Sequence, residues 1–93
     1  MAKVLIIIAP KDFQDEEYQV TKETLENRGI QVTTASTKDK CCGVFGSEVT
    51  ADVLLDNVAV EDYEAVALIG GGGAQIFIND PKIHELLNKF YNA

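Results

Sequence analysis

The stretch Lys3-Val4-Leu5-Ile6-Ile7-Ile8-Ala9 decides the fold. From Val4 onward it is an unbroken apolar run, rich in β-branched residues and without polar alternation. A strand of this kind needs cover on both faces, as a parallel strand inside an α/β sheet has. Working outward, Asp12 is placed to N-cap a helix over residues 13–28, and Gly29 to end it. Residues 30–36 then form a second strand, with Ile30, Val32 and Thr34 alternating against Gln31, Thr33 and Ala35. Strand, helix and strand in this order make a right-handed βαβ unit.

Further along, residues 42–45 and 48–53 read as two short strands around Gly46-Ser47, a hairpin. Residues 54–60 connect, and Glu61-Asp62-Tyr63 form a short turn or helix. Residues 64–69 are another buried strand, running directly into Gly70-Gly71-Gly72-Gly73. Residues 74–79 fit a turn of helix. Asp80-Pro81 supplies an N-cap with proline at the first helical position, and Ile83, Leu86, Leu87 and Phe90 give the stripe of a last helix. The expected architecture is α/β, a flavodoxin-like open parallel sheet with helices on both faces, in one domain over residues 1–93. It is incomplete at one edge. The strand over residues 64–69 is apolar on both sides, yet no further strand follows it. Bare apolar edges invite aggregation, so another strand, from another chain or a continuation, is expected there.

The chain has 93 residues, near the lower limit for a self-sufficient core, and a net charge of -7. That charge repels nucleic acid and anionic lipid, which argues against both as partners. The apolar run near the N-terminus is too short to span a membrane and has no cleavage pattern after it, so a cytoplasmic setting is expected. Cys41 and Cys42 are adjacent, a spacing that suits neither a mutual bridge nor a zinc or redox CxxC site. No metal or cofactor is expected.

Glu17 is the residue that asks for an explanation. With about 100° per residue, Phe13, Val20, Thr21, Thr24 and Leu25 share one arc of the first helix, with Tyr18 at its edge. Glu17 falls on that arc, whereas Asp15 and Glu16 fall on the polar side and complement the helix dipole. A carboxylate on a packing face should be hydrogen-bonded, protonated or used. The glycine run is a second signal. Backbone N–H groups in such a run approach a ligand closely and build an anion or oxyanion site. It is not a Walker loop, lacking Gly-Lys-Ser/Thr, nor a dinucleotide fingerprint, following a late strand. A phosphorelay receiver would need an aspartate where the chain has Leu68-Ile69-Gly70, and a flavin site would need a Ser/Thr-rich loop in place of Pro10-Lys11-Asp12. His84, the single histidine, flanks the last helix's stripe and reads as a surface residue.

The segments Lys3 to Ala9, Asp12-Phe13-Gln14-Asp15-Glu16-Glu17, Arg28-Gly29-Ile30-Gln31-Val32-Thr33 and Tyr63 to Gly71 resemble the opening half of the ThiJ/PfpI superfamily. The resemblance runs over the whole chain, which corresponds to about the first half of a usual member. It implies that Glu17 hydrogen-bonds a reactive cysteine held on a strand-to-helix elbow, and that Gly71 and Gly72 offer oxyanion-binding amides. It implies glyoxalase- or deglycase-like chemistry on small aldehydes, or intracellular peptidase activity, with a stress-related role. Ile69 replaces the family's usual proline before the glycine pair, and Gln14 replaces a frequent second acid. The nucleophile strand would follow Ala93, and Cys41 and Cys42 lie in the hairpin region instead. Alone, therefore, the chain is expected to be inactive. The implied partners are a complementary C-terminal half or a homo-oligomer, with a small carbonyl or peptide substrate once the site is complete. The competing expectation is a non-catalytic module that pairs through its strand edge. A third is a small-anion binder using the glycine loop.

Overall fold

The computed structural model describes residues 2–71 together with Glu85. In chain order these form β1 (Lys3–Ile7), β2 (Lys11–Phe13), α1 (Asp15–Asn27), β3 (Gln31–Ser36), β4 (Lys40–Gly43), β5 (Glu48–Thr50), β6 (Val53–Leu54) and β7 (Ala65–Leu68). Short 3-10 turns at Leu55–Asn57 and Val60–Asp62 lead into β7. Apart from Glu85, the expected last helix lies outside the described residues, as do Gly72, Gly73, the expected turn of helix over residues 74–79 and His84.

The main sheet is parallel with strand order β6-β3-β1-β7. The central place of β1 explains its composition. Leu5, Ile6, Ile7, Ile8 and Ala9 are all fully buried, with Phe13, Ala35 and Ile69 beside them. Burial of each large side chain contributes about 1.5–3 kcal/mol, so this one run supplies much of the core. The helix expected between the first two strands is present. Its C-terminus is a Schellman turn: the Gly29 N–H donates to the Glu26 carbonyl and the Ile30 N–H to that of Leu25. Gly29 takes φ 78°, the left-handed conformation that the motif requires.

Four expectations need correction. The helix starts at Asp15, because Phe13 is drawn into β2, which pairs in parallel with β4. Asp12 is not the N-cap. It sits at φ 60° in the left-handed region, and Gln14 is the N-cap, without a side-chain capping bond. The hairpin does form, but as Lys40–Gly43 against Glu48–Thr50, in a second sheet of order β2-β4-β5. Val53–Leu54 leaves that hairpin and joins the main sheet beside β3. Here the Asp52 carboxylate takes the Thr34 N–H at 2.8 Å while the Asp52 N–H donates to the Thr34 carbonyl at 2.8 Å.

The buried and half-buried residues of α1 are Asp15, Tyr18, Thr21, Lys22 and Leu25. The packing stripe is thus rotated from the expected arc, for which Phe13 was a false anchor. Tyr18 is its centre, donating to or accepting from Thr34 Oγ1 at 2.8 Å and meeting Phe13 edge-on at 5.6 Å. Val20, placed on the expected arc, is 53% exposed, and Thr24 and Glu17 are exposed too.

Candidate functional site at the carboxyl ends of β1 and β7

From β1 the chain crosses by way of α1 to β3 on one side, while β7 pairs on the other. The strand order reverses between β1 and β7, and ligands of open α/β sheets bind outside the carboxyl ends of strands at such a reversal. Here the end of β7 meets the start of α1. The Ile69 N–H donates to the Ile7 carbonyl at 3.0 Å, and the Gln14 N–H donates to the Gly70 carbonyl at 2.9 Å. The Gly70 N–H in turn donates to Glu17 Oε1 at 3.1 Å. Glu17 and Gly70, the first glycine of the run, are therefore brought together across 53 positions of sequence.

Gly71 has a structural reason of its own to be glycine. Its φ is 113°, and a Cβ there would lie 2.8 Å from both the Asp12 carbonyl oxygen and the Gln14 nitrogen. Glu17 is not buried, contrary to the expected helical phase. Its carboxylate lies at the surface, where among the described residues it accepts the Gly70 N–H. Gly72, the second expected oxyanion donor, lies outside the described residues.

Asp15 is the residue that the helical pattern misplaced. It is only 9% exposed. The Phe45 N–H donates to its Oδ1 and the Ser47 N–H to its Oδ2, each at 2.9 Å. Burial pushes its pKa up, but the amides of Phe45 and Ser47 and the Ser47 hydroxyl outweigh that and hold it at about 2. The carboxylate sits over Gly43, where any Cβ would collide with it. No local signal announces this clamp, since the donors lie thirty positions away on a hairpin turn.

The cysteines take no part in this arrangement. On β4 they face opposite ways, Cys41 buried and Cys42 exposed, so they cannot bridge each other, and both thiols are free. Cys41 Sγ donates to the Lys38 carbonyl and Cys42 Sγ to that of Gly43. Burial raises the Cys41 pKa, with Asp39 adding to the effect and the Ser36 hydroxyl opposing it. The two residues line a hairpin cavity of about 430 Å³ with Lys40, Glu48, Val49 and Thr50. Among the described residues no group of three or more His, Cys, Asp or Glu is placed to hold a metal. No helix among them is long and apolar enough to cross a membrane.

Comparison with known proteins places the fold in a family. The DJ-1/PfpI family model matches residues 2–93. "Uncharacterized protein MJ0967" of Methanocaldococcus jannaschii is 40% identical over 93 residues, covering 98% of this chain and 45% of that protein. "Uncharacterized protein SAV1875" of Staphylococcus aureus is 36% identical over 73 residues, covering 76% of this chain and 43% of that one. Among solved structures, a ThiJ/PfpI domain protein from Brachyspira murdochii superposes with a TM-score of 0.92 at 27% identity, covering 97% of this chain and 53% of its own. The chain thus spans about half the length of the relatives it matches.

Proposed function

This chain belongs to the DJ-1/PfpI family, and from that premise we propose that it carries the acid and amide half of a cysteine-dependent site acting on a reactive carbonyl. The observation that supports the reading is the meeting of Glu17 with the glycine turn after β7, at the carboxyl ends of β1 and β7. A thiol delivered to this crevice by a complementary segment gives its proton to the Glu17 carboxylate. The thiolate sulfur then adds to the carbonyl carbon of a small aldehyde or a peptide, forming a C–S bond. The carbonyl π electrons move to oxygen, and the N–H of Gly71, with that of Gly72, stabilises the alkoxide. The chain's own thiols are held on β4 by other partners, so the nucleophile comes from elsewhere and the chain by itself is inactive.

The experiment is complementation. The chain is mixed with the C-terminal half of the Methanocaldococcus relative and assayed for consumption of a 2-oxoaldehyde and for cleavage of a fluorogenic peptide. Activity is expected in the mixture alone, and Glu17→Gln is expected to lower it by about 10²–10⁴-fold, as removal of a proton-transfer group does. A mixture without activity, or full activity in Glu17→Gln, overturns the enzymatic reading. A second reading, a non-catalytic module that pairs through β7, draws on that strand's place at the end of the described sheet and on the 41% exposure of Leu68.

A further inference from the structure

The first turn of α1 begins without the usual support. Gln14 makes no side-chain capping bond, and the residue two before it, Asp12, holds a left-handed backbone at φ 60°. An uncapped first turn frays readily, because its leading N–H groups have no helical partner. Yet Glu17, in that turn, must hold a fixed position for its carboxylate to meet the Gly70 N–H at 3.1 Å. The bond from the Gln14 N–H to the Gly70 carbonyl holds the N-cap in place at a single point and leaves the rotation of the turn about its axis to be set by something else.

Asp15 is the first residue of the helix and grips the β4–β5 turn with both oxygens. Two positions along a helix is about 200° of rotation, so Asp15 and Glu17 leave the axis on nearly opposite sides. A grip on one side fixes the rotation of the turn and so aims the other. The lever is sensitive. With side-chain tips about 6 Å from the axis, a rotation of roughly 20° moves the Glu17 carboxylate by about 2 Å, enough to break its bond to Gly70. The clamp is itself anchored, since Gly43 leaves the space that the carboxylate occupies and the Val44 N–H donates to the Phe13 carbonyl at 3.0 Å.

We propose that Asp15 is the positioning residue for Glu17: by clamping the first turn of α1 to the β4–β5 turn, it directs the Glu17 carboxylate onto the Gly70 amide. The functional weight of this rests on the reading of Glu17 given above, but its test does not. The amide proton shift of Gly70 is followed by NMR in the 93-residue chain as pH passes through the carboxylate range. A hydrogen-bonded carboxylate moves that shift when it takes a proton, and Glu17→Gln supplies the zero level. Two variants release the clamp differently. Asp15→Asn keeps the shape but presents an NH₂ where a second N–H acceptor is needed. Gly43→Ala keeps the Asp15 charge and removes its seat.

In both variants the Gly70 titration amplitude is expected to fall at least about twofold, while the Ile6 and Ile7 amides of β1 keep their shifts and protection. A local structural clamp would disturb Phe45 and Ser47 and leave Gly70 alone. The proposal is overturned if Gly70 keeps its full amplitude in both variants. It is overturned equally if Gly70 changes only in step with Ile6 and Ile7, which reports general unfolding. An inactive Glu17→Gln in the complemented mixture, with an unchanged Gly70 titration in both Asp15→Asn and Gly43→Ala, rejects the positioning role alone. A fully active Glu17→Gln with a lost titration in Asp15→Asn rejects the enzymatic reading alone.

Discussion

The Asp15 carboxylate accepts one backbone N–H on each oxygen, and this fixes how it responds to acid. Its folded pKa of about 2 lies below the ordinary aspartate value of 3.8, the reference for the unfolded chain. The folded state therefore binds fewer protons than the unfolded one, and the clamp's stabilisation is complete above about pH 4. It is lost as pH falls from about 4 to about 2. Urea midpoints of the chain and of Asp15→Asn, measured from pH 6 downward, are expected to differ most at the upper end and to converge towards pH 2. A constant gap down to pH 2 would show that the carboxylate's charge is not what holds the turn. That this residue matters was not legible in the sequence. Three acids in a first turn are an ordinary match to a helix dipole, and only the β4–β5 turn distinguishes Asp15 from Glu16. Glu17, by contrast, stands out in the sequence for a helical phase that the structure does not have. The phase that placed it among packing residues counted Phe13 as helical, whereas Tyr18 is the residue that the helix buries.

At the scale of elements, the parts that a local pattern can encode were legible: the apolar run of β1, the alternation of β3, the stop at Gly29, the hairpin about Gly46-Ser47 and the approach to β7. The strands that exist only through distant pairing were not. Lys11-Asp12-Phe13 has no period that marks a strand, and it becomes β2 because β4 lies alongside. Val53–Leu54 is too short to stand apart from the hairpin until Ala35 and Ser36 pair with it. The junction of β7 with the β2–α1 turn shows the cost of such a close approach. At Gly71 any side chain meets the backbone of Asp12 and Gln14, and the backbone conformation is itself unfavourable for other residues. Gly71→Ala is expected to destabilise the chain by about 1–3 kcal/mol, read as a lowered urea midpoint with an unchanged slope. A wild-type midpoint would mean that the junction relaxes and that the two elements are not held together there.

For the whole molecule, the sheet's geometry carries the argument about partners. The strand β1 is fully buried from Leu5 to Ile7, whereas in β7 Leu68 is 41% exposed, and Val20 on α1 is 53% exposed. Among the described residues β7 has a neighbour only on the β1 side, and an outer edge of that kind can take up another strand. An apolar strand edge of this kind is what native proteins cover, or protect with a charge such as lysine. If the chain pairs through β7, its weight-average mass by light scattering should exceed 10.1 kDa and fall on dilution. Leu68→Lys should bring it down to that value at every concentration without changing the far-ultraviolet circular dichroism. The complementary half used for the activity assay should do the same to the self-pairing of the wild-type chain, because both occupy one edge. A wild-type chain that stays at 10.1 kDa throughout the dilution series would exclude self-pairing through β7. A self-associating chain indifferent to Leu68→Lys would move the contact to another surface, with the exposed Val44-Phe45 turn the next to test by substitution.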